Sequence, residues 1–84
     1  MTLENLLQTA KRGFRFYVEL AMDDPTGALY WMACLRGVHH MALDSIDLFY
    51  ETVGEDEVAE ACDILDEEYD RARKEIENIY RMAL

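Results

Sequence analysis

The sequence predicts an all-α fold, and three features of the 84-residue chain lead to that prediction. Apolar residues make up 51% of the chain, which is enough for a folded core. These residues recur at the spacing of amphipathic helices. Turn signals stand at only two places, Asp23–Pro25 and Val53–Asp56, so they predict an antiparallel three-helix bundle in one domain, residues 1–84. We expect helices at about 3–22, 25–52 and 56–83, or four helices if the middle one breaks near residue 44.

The first helix should begin after Thr2, a residue type that commonly caps helices. Its apolar side chains share one face: Leu3, Leu6, Leu7, Ala10, Phe14, Tyr17 and Leu20. Gly13 lies inside this helix at a cost of about 1 kcal/mol relative to alanine, so we expect another backbone to approach it, near Gly37. Asp24 and Pro25 match the N-cap and the first position of the next helix.

The middle helix is apolar on almost every side. Between residues 28 and 43 the polar side chains are Arg36, His39 and His40. This stretch is too short and too polar for a bilayer, which takes about twenty apolar residues, so neighbouring helices should cover it. We expect His39 in the core, bonded to Tyr69 or Glu68.

The third helix has the most regular pattern in the chain. Its apolar residues alternate in steps of four and three: Val58, Cys62, Leu65, Tyr69, Ala72, Ile76, Ile79 and Ala83. This is a heptad seam, and it predicts one continuous face packed against the other helices. Three ion pairs are expected one turn apart: Glu67 with Arg71, Asp70 with Lys74, and Glu77 with Arg81.

The first two helices carry more apolar side chains than a three-helix unit can bury, Val18 among them. This surplus predicts a homodimer, because twofold pairing is the commonest way to cover such a surface. The residues expected at the interface are Phe16, Tyr30, Trp31 and Val38.

The net charge of −10 is confined to the second half of the chain. Residues 1–43 hold four acids and four bases, whereas residues 44–84 hold fourteen acids and four bases. Between Glu55 and Asp70 there are nine acids and no base. Such a surface repels nucleic acid and anionic membranes and attracts basic proteins.

The acidic residues define a candidate partner-binding surface: Asp47, Glu51, Asp56, Glu57, Glu60, Asp63 and Glu67. Four of them, Asp56, Glu60, Asp63 and Glu67, follow helical spacing with no base between them. The alternative is a solvated helix face supported at its start by the helix dipole. Like charges four residues apart oppose helix formation, however, so an unbroken acidic row favours a binding role.

No cofactor and no metal site are predicted. Cys34 and Cys62 lack metal-ligand spacing and are expected as reduced, buried thiols. The amino terminus does not resemble a signal peptide, so we expect a cytoplasmic location. The sequence contains no phosphate-binding glycine loop, nucleophile elbow or HExxH motif, so we expect no enzymatic activity.

One motif suggests a catalytic alternative. Asp44-x-x-Asp47 followed by Glu60-x-x-Asp63 resembles the ExxE…ExxD motif of the all-α, MazG-like nucleoside-triphosphate pyrophosphohydrolases, with aspartates in place of both glutamates of the first pair. The resemblance implies that carboxylates of two facing helices hold Mg²⁺ against a triphosphate.

The function expected from the sequence is binding to a basic protein, with no direct contact to nucleic acid or membrane. In the most specific version of this hypothesis, the chain is an inhibitor that occupies the nucleic-acid-binding surface of its target, as small acidic anti-restriction, anti-CRISPR and immunity proteins do. Two alternatives stay open. The chain could be an adaptor or regulatory subunit that binds through its apolar surface, or the pyrophosphohydrolase described above.

Overall fold

The computed structural model describes all 84 residues and consists of helices without strands. Helix α1 spans Leu3–Asp23, α2 spans Ala28–Asp47, α3 is the short segment Tyr50–Val53, and α4 spans Glu55–Ala83. The three long helices run antiparallel in sequence order, and each contacts the other two. They form a rod of 46 × 18 × 15 Å. The predicted all-α bundle is confirmed.

The turn between α1 and α2 is longer than the sequence predicts. Thr2 caps α1 as expected, since its hydroxyl accepts a hydrogen bond from the Asn5 N–H at 3.1 Å. After Asp24, residues Pro25–Gly27 form a single 3₁₀ turn, and α2 begins only at Ala28. The carbonyl of Asp24 accepts from the Gly27 N–H at 3.0 Å, which closes this tighter turn.

The middle helix breaks after Asp47, a few residues beyond the predicted position. The N–H groups of Leu48 and Phe49 bond to the carbonyls three residues back, at 3.1 Å and 2.9 Å, so the α-helical pattern ends there. The Leu48 side chain is 82% exposed, whereas Phe49 packs against the core. Gly54, with φ of 89°, then separates α3 from α4 in a conformation that favours glycine.

The core contains fourteen apolar side chains drawn from all three long helices: Leu6, Ala10, Phe14, Val18, Ala21, Ala28, Leu35, Ala42, Ile46, Val58, Ala61, Leu65, Ala72 and Ile76. In α4 four of the five buried residues lie on the predicted heptad seam, Ala61 is buried beside it, and the predicted member Ala83 is exposed. In α1 the buried face is rotated from the predicted one, because Val18 and Ala21 enter the core while Tyr17 and Leu20 are half-buried. The prediction that Val18 is one of the apolar side chains that the bundle leaves uncovered is therefore wrong.

The two helix-interior glycines do not meet. A Cβ at Gly13 would lie 3.3 Å from Cγ1 of Val38, so α2 approaches Gly13 closely, but through a side chain and not through the predicted backbone contact. Gly37 is exposed, and a Cβ there would meet nothing within 4 Å. Within the chain, therefore, no contact accounts for a glycine at position 37, which costs about 1 kcal/mol relative to alanine.

Candidate functional site

The outward face of α4 carries a row of carboxylates. Asp56, Glu60, Asp63 and Glu67, hereafter the acidic stripe, are all exposed. They lie on the side of α4 opposite the buried Val58 and Leu65, because residues at that spacing point away from the core of an α-helix. None of the four takes part in an ion pair. The stripe therefore presents full negative charge to solvent.

The other predicted partner-binding residues flank the acidic stripe at the same end of the bundle. Glu57 and Glu60 line a shallow groove between α4 and the start of α1, where Glu4 also lies. Asp47 ends α2 on the side that faces α4, and Glu51 is exposed on α3. The structure thus places Asp47, Glu51 and Glu57 on three helices around one end, with Glu4 of α1 beside them.

The Cys62 thiol lies in a negative electrostatic field on the α2 side of the acidic stripe. Burial raises the pKa of its thiol, and the nearby carboxylates of Asp47, Asp66 and Asp63 raise it further. A negative thiolate is disfavoured where three carboxylates surround it. The carboxylates of Asp47 on α2 and Asp63 on α4 therefore both raise the pKa of the same thiol, although they belong to different helices.

The ion pairs of the protein lie toward the other end. Arg73 pairs with Asp70 at 2.7 Å and with Glu77, and Lys74 pairs with Asp70 at 2.9 Å. Hydrogen bonds from Arg73 and Lys74 lower the pKa of the Asp70 carboxyl. Two more pairs are Arg71–Glu68 at 3.2 Å and Arg15–Glu75 at 2.9 Å. Of the three predicted pairs only Asp70–Lys74 forms, because Arg71 and Glu77 find other partners.

The contact of His39 on α2 with α4 differs in part from the prediction. His39 was expected in the core, and its side chain is 12% exposed, but its Nε2 lies 2.8 Å from Oδ1 of Asp66 and not on Glu68. The ring of Tyr69 stacks on the imidazole instead of bonding to it. Asp66 precedes Tyr69 by three residues and so lies one helical turn away on the same side, which is the signal that could have identified it.

The four carboxylates of the pyrophosphohydrolase-like motif do not converge. Asp44, Asp47, Glu60 and Asp63 are all exposed. No group of three His, Cys, Asp or Glu side chains in the protein is placed to hold a metal ion. The arrangement of facing carboxylates that the resemblance implies is therefore not formed in this structure.

The predicted dimer residues divide into two kinds. Phe16 and Tyr30 are 54% and 65% exposed, respectively. Trp31 is half-buried and stacks on Tyr17 with ring centroids 6.2 Å apart, and its Nε1 is buried without a hydrogen-bond partner. Val38 packs against Gly13 within the chain. Only the first two side chains are freely available for contact with another protein.

Comparison with known proteins assigns the chain to no family. No protein-family model matches it, and no match was found among the curated proteins or the solved structures compared with it. None of its helices combines the length and hydropathy that crossing a membrane requires. Its function therefore has to be inferred from its own geometry and charge.

Proposed function

We propose that this protein binds a basic partner protein through the acidic stripe and the acids beside it, and antagonises that partner by covering its nucleic-acid-binding surface. The observation that carries the proposal is the acidic stripe itself: four exposed carboxylates on one helix face with no ion-pair partner. Charge of one sign on one surface attracts the opposite charge and speeds association with it.

The geometry of the stripe suits a surface that normally binds nucleic acid. Successive carboxylates are separated by about 4.5–6 Å along the helix axis, and the whole row extends about 16 Å. A nucleic-acid strand likewise presents a linear, closely spaced row of negative charges to Lys and Arg side chains. A partner that reads phosphates in a row can therefore accept the carboxylates of α4 in their place.

The stability of α4 also favours a binding role over a passive face. The helix dipole stabilises negative charge only within the first turn, where Asp56 and Glu57 lie. Glu60 and Asp63 lie beyond that turn and have no base one turn away, so repulsion between neighbouring carboxylates opposes the helix there without compensation. Binding of a partner to the acidic row would explain why the row is present although it weakens its own helix.

The test is affinity capture from extracts of the cells that encode the protein, with bound proteins identified by mass spectrometry. Replacement of Glu60 and Asp63 by lysine should abolish capture of a basic nucleic-acid-binding protein that wild type retains. The matched control is Glu19→Lys with Asp23→Lys, since both residues are exposed, unpaired acids one turn apart on α1. This control makes the same change in net charge and should leave capture intact.

High salt should release the partner from wild type, because exposed charge–charge contacts are screened within about 10 Å at 0.1 M salt. Equal loss of capture in the stripe variant and the α1 control would mean that net charge alone is responsible, which contradicts the proposal. A cytoplasmic location belongs to the same proposal, and the two free thiols support it.

The adaptor alternative rests on a separate observation, the exposed apolar side chains of α2. Tyr30 and Met41 are 65% and 66% exposed. If a partner protein binds there, capture should survive the charge reversals in the stripe and should withstand high salt. That result would favour an adaptor over an inhibitor.

A further inference from the structure

The outer surface of α2 carries a second heptad pattern that no part of the chain covers. Its members follow steps of four and three: Tyr30, Cys34, Gly37, Met41 and Asp44 on α2, and Leu48 directly after its last residue. Five of the six are exposed, and Cys34 is half-buried. Asp44 is the only charged member. We refer to this row as the outer seam of α2.

Steps of four and three are typical of helices that pack against another helix along their length. The inner face of α2 already meets this need through Leu35, Ala42 and Ile46, which are buried against α1 and α4. The outer seam therefore has the pattern of a helix–helix contact without a second helix from the same chain.

We propose that a second copy of this chain packs its α2 antiparallel against the outer seam, about a twofold axis near the middle of the helix. In this arrangement Gly37 lies opposite Met41 of the partner subunit, and Met41 lies opposite the partner subunit's Gly37. Tyr30 and Leu48 form the outer contacts in the same reciprocal way. Because a twofold axis supplies each contact twice, one seam is enough to build the whole interface.

Gly37 supports this pairing independently of the exposed side chains. A Cβ at position 37 would meet nothing within 4 Å in the single chain, so the glycine fulfils no packing role there. Opposite a methionine of a second helix, the missing side chain leaves the space that the thioether needs. The glycine and the methionine thus become complementary only when two copies meet.

The charge distribution favours a second copy and selects the antiparallel orientation. Residues 1–43, which form α1 and most of α2, are electrically neutral in sum, whereas residues 44–84 carry the net charge of −10. Two copies can therefore approach through α1 and α2 with both α4 helices directed away. Antiparallel pairing also places the two acidic ends at opposite ends of the dimer, whereas parallel pairing would put them side by side.

The length of the outer seam also suits a helix–helix contact. From Tyr30 to Leu48 it extends about 27 Å at 1.5 Å per residue. Phe16 of α1 is also exposed and packs edge-on against Tyr17, which in turn stacks on Trp31 of α2. The dimer does not depend on the inhibitor proposal, since the acidic stripe lies on α4.

The mass of the full chain in sedimentation equilibrium tests the proposal. One chain weighs 9.8 kDa, so wild type at micromolar concentration should sediment at about twice that mass. Met41→Glu should raise the dissociation constant about 100-fold, because the carboxylate would be buried at both symmetric positions. Its circular dichroism should stay that of wild type, since Met41 is exposed in the single chain.

The matched control is Met22→Glu, which makes the same substitution at a methionine that is 58% exposed on α1, in the groove beside α4. This variant should remain a dimer. A monomeric wild type would overturn the proposal, and so would equal dissociation of the two variants.

Disulfide cross-linking tests the orientation in a Cys62→Ala background. In the antiparallel dimer the two Cys34 residues lie about 15 Å apart along the axis, so mild oxidation should produce no covalent dimer. In a parallel dimer they would face each other and cross-link readily. A Cys34–Cys34 disulfide formed in high yield would therefore overturn the antiparallel arrangement.

Discussion

The imidazole of His39 on α2 stacks on the phenol ring of Tyr69 on α4, with ring centroids 4.1 Å apart and planes inclined by 7°. Phe14 of α1 packs against both rings, at centroid distances of 6.3 Å and 6.1 Å. Asp66 fixes the imidazole through a contact of 2.8 Å to Nε2. The three long helices are thus joined at one aromatic cluster near the middle of the bundle.

Replacement of His39 by alanine should lower the free energy of unfolding by about 2 kcal/mol, from the lost ring stacking and the lost bond to Asp66. Chemical denaturation followed by circular dichroism measures the change. His40→Ala is the control, because His40 is exposed and removal of its side chain should cost less than about 0.5 kcal/mol. An equal effect of the two substitutions would contradict the role assigned to the cluster.

The sequence predicted the course of α4 well because its heptad spacing leaves only one apolar face to bury. In α1 either of two neighbouring apolar rows could face the core. One row contains Tyr17 and Leu20 and the other contains Val18 and Ala21, and spacing alone does not decide between them. Contact with both α2 and α4 selects the second row. The helix continues past residue 44, where the Ser45 hydroxyl donates to the Met41 carbonyl within α2 at 2.8 Å, and it breaks only after Asp47.

The candidate site was predictable to a similar degree. Exposure of Asp56, Glu60, Asp63 and Glu67 follows from helical periodicity once the core face of α4 is known. The ion pairs were less predictable, because Arg71 and Arg73 each have acids both three and four residues away. Arg73, which the sequence analysis left unpaired, bonds to Asp70 and Glu77.

Reversing charge in the acidic stripe should stabilise the fold. Glu60→Lys with Asp63→Lys removes repulsion along α4 and introduces attraction to the acids that remain, at about 0.3–0.5 kcal/mol per pair of residues one turn apart. The melting temperature should therefore rise slightly, and Glu60→Gln with Asp63→Asn should give a smaller rise. A lower melting temperature in the lysine variant would show that the stripe contributes to the fold itself.

Magnesium should not change the stability of the protein. Asp44, Asp47, Glu60 and Asp63 do not form a metal-ligating group, so no binding energy is available to favour the folded state. Thermal melts with and without millimolar Mg²⁺ should coincide when ionic strength is matched with NaCl, because any added salt also screens the repulsion within the acidic stripe. A stabilising shift in wild type that disappears in the Glu60→Lys and Asp63→Lys variant would restore the pyrophosphohydrolase alternative.

Asp70 should make the fold acid-sensitive. Since Arg73 and Lys74 hold the pKa of its carboxyl below the ordinary value, ionised Asp70 stabilises the folded state above its ordinary pKa of about 4. That stabilisation is lost as the pH falls through the lowered pKa. Asp70→Asn should therefore melt below wild type at pH 7, and the difference should vanish in strong acid. A difference in melting temperature that persists in strong acid would show that Asp70 acts through packing and not through its charge.

Cys62 should become more reactive when its carboxylate neighbours are neutralised. In a Cys34→Ala background, Asp47→Asn lowers the negative potential at the thiol, so the rate of alkylation by iodoacetamide at pH 8 should rise. Asp44→Asn makes the same change in charge at a residue that does not raise the pKa of Cys62, and it should leave the rate unchanged. An equal rise in both variants would indicate local loosening of the helices.

The uneven placement of charge along a rod 46 Å long gives the molecule a permanent electric dipole. Its negative end contains the start of α4, and the ion-paired end is close to neutral. Near a positively charged protein such a rod rotates before contact, so that the acidic end arrives first. Salt should consequently slow this encounter, because it screens the field that turns the rod.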